Sequence, residues 1–332
     1  MLKKKFLKAI RFLIFFAIGV VIFWLIYKDQ DLGRITNILK HKVNYSWVWF
    51  SLFLGLLSHI SRSIRWNLMI EPLGHKPWIF NTFLAVMVGY LMNLALPRMG
   101  EISRCGVLSR YEKISFTKLV GTVVAERIID VLMLLLLTLL VIITQFGEVL
   151  RFLYKNPEIE NKIVSLVQSP ILYGAIIMVI ILFYVYRKNL KRSIFFKKIE
   201  GTVNNFKEGL NSIKKIKRKW AFILHSVFIW LMYYLMLYVV FFAFDFTKAL
   251  SPLAGLTTFV LASFGMVAPV QGGIGAWHFM VKEALSLYGV ANENGVIFAL
   301  LDHTAMTAML IFLGLGSLLI LPFINRKKNG ML

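Results

Sequence analysis

Hydrophobic residues run along this chain in long blocks separated by short polar stretches, with no two-residue alternation of the strand kind. A helix crossing the ~30 Å hydrocarbon core of a bilayer needs about 20 mostly apolar residues. Eight blocks approach or exceed that length: residues 10–27, 47–70, 79–96, 117–145, 170–186, 220–244, 252–268 and 296–322. The first follows Lys3, Lys4, Lys5 and Lys8, as the apolar run of a signal peptide does, but Tyr27-Lys28-Asp29-Gln30-Asp31 comes next, with no small-residue cleavage site. It reads as a retained anchor. No stretch outside the blocks is long enough for a soluble domain, and no repeat of about 20–50 residues is present. A single transmembrane domain over residues 1–332 is therefore expected.

Composition agrees. Of 332 residues, 58% are hydrophobic and 16% charged, against about 45–50% and about 25% in ordinary soluble domains. A water-soluble globule of this size could not hide so much apolar surface, and disorder needs the opposite balance. With Cys105 as the single cysteine, an intrachain disulfide and a cysteine-based zinc site are both impossible. The fold class is all-α, a polytopic helical membrane bundle.

The formal charge of +22 sits mostly in loops, and Lys and Arg in short loops mark the cytoplasmic side. Residues 187–219 carry twelve basic residues against Glu200 and Glu208. This loop, the lysine-rich N-terminus and Arg326-Lys327-Lys328 should all be cytoplasmic, in the cell membrane. Residues 146–169, with three basic and three acidic groups, belong outside. Simple alternation of eight spans cannot satisfy these assignments. The conflict disappears if blocks 79–96 and 252–268 each turn back at mid-membrane, from opposite faces. Each is followed by a break: Leu96-Pro97-Arg98-Met99-Gly100-Glu101 and Ala268-Pro269-Val270-Gln271-Gly272-Gly273-Ile274-Gly275. About six full spans plus two opposed re-entrant hairpins result. Broken backbone at that depth is tolerated only inside protein or beside a wet cavity, and paired discontinuous helices recur around midplane substrate sites.

Ionisable residues inside spans cost roughly 2.5–3.5 kcal/mol each on insertion scales and usually face a partner or a cavity. Block 117–145 contains Ala125-Glu126-Arg127-Ile128-Ile129-Asp130. Glu126 lies ~14 Å into it. Glu126 and Asp130 share a face, and Arg127 can pair with Asp130 three residues on. One arginine against two carboxylates leaves a negative surplus, so a further cation is expected from elsewhere; the group reads either as an ion-pair clamp or as part of a substrate site. Arg62 and Arg65 either snorkel to the interface beside Trp66 or point inward to phosphate or to the surplus carboxylate. Asp302 and His303 lie in the last block, where Asp302 has no local cation and needs a remote one or a proton. His278 follows the second glycine-rich break. Lys282 and Glu283 read as surface decoration of the return helix.

Residues 272–275 lack the Lys-Ser/Thr of a nucleotide-binding loop, and neither a metalloprotease helix motif nor a nucleophile elbow occurs. No cofactor, no metal and no nucleic-acid partner is expected. The loop charge reads as topology and as attraction to anionic lipid.

Three runs, Asn93-Leu94-Ala95-Leu96-Pro97-Arg98-Met99-Gly100-Glu101-Ile102-Ser103-Arg104, Val124 through Asp130, and Pro269 through Gly275, together with Arg62 and Arg65-Trp66, resemble the membrane domain of the lysylphosphatidylglycerol synthetase/flippase family. The resemblance covers nearly the whole chain. It implies a flippase-like protein, not an enzyme, that moves a phospholipid or related amphiphile between leaflets without hydrolysing ATP. The soluble synthetase domain that follows the membrane part in some members has no counterpart within these residues. Where the family often has a Glu three residues past the Gly-Gly-Ile-Gly run, this sequence has His278, so a lysylphosphatidylglycerol substrate does not carry over.

The candidate substrate-binding residues are Arg62, Arg65, Asn93, Arg98, Glu101, Arg104, Glu126, Arg127, Asp130, His278 and Asp302, with breaks at Pro97, Gly100, Pro269, Gly272, Gly273 and Gly275. In the expected arrangement Arg98 and Arg104 attract an anionic headgroup at the cytoplasmic mouth and Arg127 receives it at depth. Glu126, Asp130 and Asp302 balance a cationic headgroup moiety or take up a proton. The glycines let backbone approach the headgroup. A small-solute transporter, a glycosyltransferase on polyprenyl-phosphate lipids, and an accessory partner of a lipid-synthesis enzyme are the alternatives, and a homo-oligomer is compatible with each.

Overall fold

The computed structural model describes residues 20–28, 30–96, 99–157, 204–209, 211–268 and 270–326, with isolated positions elsewhere. Pro97, Arg98, Pro269, residues 187–203 and all of the 170–186 block except Met178 lie outside them. Among the described residues every regular element is helical: α1 Leu32–His41, α2 Tyr45–Ile70, α3 Ile79–Ala95, α4 Met99–Glu112, α5 Phe116–Thr144, α6 Phe146–Lys155, α7 Lys219–Val240, α8 Pro252–Val267, α9 Ala276–Leu287 and α10 Asn292–Ile324. Helical residues 20–27 precede α1. Three helical stretches, Phe116–Thr144, Lys219–Ala243 and Asn292–Ile324, are long and apolar enough to cross a membrane. With 26 residues, α2 is ~39 Å long and carries the arginines of the candidate site.

Local chemistry fixes the helix ends. The Asn44 side chain accepts from Ser46 N at the start of α2. Ser51 is already inside that helix, and its hydroxyl donates to Met236 O of α7 at 2.7 Å. Ser251 caps α8 ahead of Pro252 at the first helical position, where the missing N–H costs nothing. Leu96, the residue before Pro97, is extended, as its steric clash with a proline ring requires.

Two hairpins stand between the long helices. α3 and α4 form the first, α8 and α9 the second. At 17 and 16 residues, α3 and α8 are ~24–26 Å long, short of the hydrocarbon thickness. α10, 33 residues long, runs past both and shows that they enter from opposite ends. Near its C-terminus Asn325 and Asn81 exchange amide hydrogen bonds of 2.9 and 3.0 Å, and Asn81 also donates to Glu112 Oε1 at 2.6 Å, which ties both feet of the first hairpin to that end. Near its N-terminus Gly295 lies against Lys282 of α9. Between these, His303 Nε2 lies 2.8 Å from Gly272 O at the tip of the second hairpin.

The tips meet, since a Cβ placed on Gly272 would come within 2.7 Å of Leu94 Cδ2. Gly272, Gly273 and Gly275 all have positive φ, which side-chain-bearing residues rarely adopt. These glycines therefore shape the turn itself. Gly100 is constrained by packing: its Cβ position lies 2.2 Å from Gly89 O. At this residue the close approach that glycine permits is that of α4 to α3.

One further reading changes. Glu283 is buried and pairs with Lys155 of α6 at 3.4 Å as well as with Lys282 at 2.8 Å, so it ties α9 to α6 and is not surface decoration. Within the 146–169 stretch, residues 146–155 form an amphipathic helix.

Candidate functional site

Seven charged candidate residues converge from three helices. On α2, Arg62 and Arg65 lie one turn apart; on α5, Glu126 and Asp130 do the same, and the two pairs face each other. Arg62 donates to Glu126 Oε1 at 2.7 Å and to Asp130 Oδ2 at 3.2 Å. Arg65 donates to Glu126 Oε1 at 3.1 Å and to Asp130 Oδ1 at 2.7 Å. From α4, Arg104 reaches the other Glu126 oxygen at 2.9 Å and lies over the Trp66 ring at 4.6 Å. Trp66 Nε1–H donates to Thr122 Oγ1 at 2.9 Å, which locks the ring.

All of these charged groups are buried, and each is within reach of an opposite charge, the condition on which burial of charge is tolerated. Of the two sequence readings of Arg62 and Arg65, the inward one is realised. Arg104 belongs to this interior and not to a mouth, because α4 packs along α3 and turns residue 104 toward α5. The missing cations are thereby found, and they overshoot: three buried arginines face two carboxylates, a balance of +1.

Arg127 occupies a different position from the others. It lies 3.6 Å from Asp130 and 3.7 Å from Glu101 at the first hairpin's tip, and its side chain is 43% exposed. Arg127 and Glu101 border a narrow cleft of about 10 Å³, room for roughly one water, which Val86, Gly89, Tyr90, Asn93, Gly100 and Arg104 also line. Asn93 has a structural bond there, its Oδ1 accepting from Gly100 N at 2.7 Å across the break. The Nε atoms of Arg62, Arg65, Arg104 and Arg127 and one oxygen of Glu101 are buried without hydrogen-bond partners. The cluster thus holds unspent donor capacity around a positive centre.

His278 and Asp302 do not join it. His278 sits at the tip of the second hairpin, its ring centroid 4.5 Å from that of His303, edge-on to Phe23 and Tyr27, with Nδ1 accepting from Gly275 N at 3.4 Å. Asp302 is buried, with no ion pair to it among the described residues. Arg98 lies outside the described residues.

Sequence reasoning missed Tyr90 and Tyr233, whose hydroxyls are 3.1 Å apart, and it passed over His59, whose ring lies 4.8 Å from that of Tyr90. Arg62 lies 5.9 Å from the Tyr233 ring, so this trio continues the cluster toward the centre of the bundle. His59 could have been found from its three-residue spacing to Arg62. The tyrosines carried no such signal, because membrane helices use tyrosine freely at interfaces.

The sequence model described as "Lysylphosphatidylglycerol synthase TM region" matches residues 10–314. The UPF0104 membrane protein MJ1595 of Methanocaldococcus jannaschii is 26% identical over 321 residues, covering 90% of this chain and 91% of that protein. No solved structure matches the chain.

Proposed function

Because the chain belongs to the lysylphosphatidylglycerol synthase TM region family, a family of membrane proteins, we propose that it is a lipid flippase-like protein, which passes an anionic phospholipid between leaflets and performs no covalent chemistry on it. The observation that carries this reading is the buried cluster beside the tip of the first hairpin: a +1 balance of Arg62, Arg65 and Arg104 over Glu126 and Asp130, with a narrow cleft next to it.

A phosphodiester admitted by widening of that cleft would meet pre-oriented guanidinium groups, whose planar forks suit its two free oxygens better than an ammonium does. Its single negative charge would cancel the surplus, so the loaded site would be neutral and cheaper to keep at mid-membrane. The meeting of Leu94 with the positive-φ glycines of the second tip makes the contact between hairpins the element that must part for passage. In this reading His278 and His303 stand on the far side of that contact. The end of the bundle bearing Lys76, Arg110, Lys113, Lys118 and Arg218 is cytoplasmic, in the cell membrane, as the positive-inside rule asks.

The test is scrambling of headgroup-labelled lipids in proteoliposomes. Phosphatidylglycerol movement well above that of empty vesicles is expected, with loss in Arg62→Gln protein that remains monodisperse. Equal movement in that variant and the wild type refutes the reading.

A further inference from the structure

The inner charges and the outer pair of the cluster differ in a way that points to how a ligand gets in. Arg62, Arg65 and Arg104 hold their carboxylates at 2.7–3.2 Å with almost no exposure. Arg127 and Glu101 are 3.7 Å apart, with side chains 43% and 28% exposed. Arg127 is the twelfth residue of α5 counting from Phe116, and its eleven rises of 1.5 Å put it ~17 Å along the helix. At that depth the surface around it is apolar: Val124, Ile128 and Val131 on α5 and Ile102 on α4 are all exposed. An arginine half-open to such a surface is costly, and a loose pair does little to offset it. One Nε–H of the arginine and one oxygen of the glutamate remain unbonded. The two side chains form one wall of the narrow cleft, whose enclosed space of about 10 Å³ must widen to admit more than a water.

We propose that the Arg127–Glu101 pair is a side gate between α4 and α5, through which a monoanionic phosphodiester on a hydrocarbon chain enters from the bilayer. The charged group displaces the Glu101 carboxylate from Arg127 and passes to Arg104, while the chain lies along Ile102, Val124 and Ile128. Glu101 acts as a placeholder anion: with Asp130 at 3.6 Å already on Arg127, it is the outer, displaceable carboxylate when the cleft is empty and competes with the ligand. A single negative charge is selected because the inner cluster has one positive charge to cancel. A neutral or zwitterionic headgroup leaves the surplus unpaired. The inference rests on the lipid-translocation reading and adds the entry route and the charge class of the ligand.

The experiment measures binding by native mass spectrometry of the full chain released from micelles, with phosphatidylglycerol, phosphatidylcholine and the chainless monoanionic phosphodiester glycerophosphoglycerol as probes, alongside the scrambling assay. Phosphatidylglycerol should bind at least tenfold tighter than phosphatidylcholine, and glycerophosphoglycerol at tenfold higher concentration should not displace it. Glu101→Gln should tighten phosphatidylglycerol binding several-fold, and Arg127→Gln should weaken it about tenfold or more. Ile128→Trp, which keeps every charge, should weaken phosphatidylglycerol binding by crowding the chain. Binding of glycerophosphoglycerol as tight as that of phosphatidylglycerol would overturn the proposal in favour of a soluble anion. Weaker binding by Glu101→Gln protein, or indifference to Ile128→Trp, would overturn the gate. If phosphatidylglycerol scrambles in the wild type and these variants leave binding unchanged, the gate falls and translocation stands. If binding follows the pattern above without scrambling, translocation falls and the gate stands.

Discussion

Replacing Glu126 by Gln keeps the shape of the side chain and removes one negative charge from the most buried part of the cluster. Three hydrogen-bonded ion pairs end there, with Arg62 at 2.7 Å, Arg65 at 3.1 Å and Arg104 at 2.9 Å. The loss is unequal among them. Arg62 and Arg65 keep Asp130, at 3.2 and 2.7 Å. Arg104 keeps only the face of Trp66, since Glu126 is the sole carboxylate paired with it among the described residues. The cluster's balance rises from +1 to +2, and one guanidinium is left buried without a counter-charge. Removing one partner of a buried pair costs about 3–5 kcal/mol, and that is the destabilisation expected for Glu126→Gln. Unfolding in mixed micelles, titrated with a denaturing detergent and read by tryptophan fluorescence, measures it. The informative comparison is the double variant Glu126→Gln/Arg104→Met, which restores the +1 balance with an apolar chain of similar length. It should be more stable than Glu126→Gln alone, with a coupling of about 1–3 kcal/mol between the two sites. A Glu126→Gln protein as stable as the wild type, or strictly additive losses in the double variant, would refute the argument that Glu126 is the common counter-ion.

Gly100→Ala places a methyl group where Gly89 O lies 2.2 Å away. It should prise α4 from α3 at a cost of about 1–3 kcal/mol, measured by the same titration. Asn93→Ala removes the acceptor for Gly100 N and should cost about 1–3 kcal/mol, with faster proteolysis at the first break. The hairpin topology predicts that cysteines introduced at His75 and Lys113 react with an impermeant thiol reagent from one face of the membrane, and a cysteine at Asp245 from the other. Cys105 is buried and should not interfere. Labelling of positions 75 and 113 from different faces would remove the first hairpin.

The positions of the long helices were readable because burial in a bilayer demands long, uniformly apolar runs, and such runs are visible one residue at a time. Blocks 47–70, 117–145 and 296–322 match α2, α5 and α10 to within a turn or so. The hairpins were readable less directly, through loop charges that cannot be reconciled with eight full crossings. The short helices α1 and α6 were missed, because ten residues with one apolar face are invisible to a search for spanning blocks.

At the site, sequence marked Glu126 and Asp130 as charges lying deep inside an apolar run, where burial with a partner is expected. For Arg62 and Arg65 it left snorkelling and inward readings open, and the packing of α2 against α5 decided for the inward one. Pairing was another matter. Arg127 neighbours Glu126 in the chain, yet Glu126 is held by Arg62, Arg65 and Arg104, which lie 64, 61 and 22 residues away. Adjacent residues on a helix point about 100° apart, so Arg127 faces the cleft while Glu126 faces α2. The sign of the cluster's charge, the place of Arg104 and the separation of His278 from the arginines depend on how α4 and α9 pack against their neighbours. Helix packing brings side chains together across distances in sequence that no local spacing encodes.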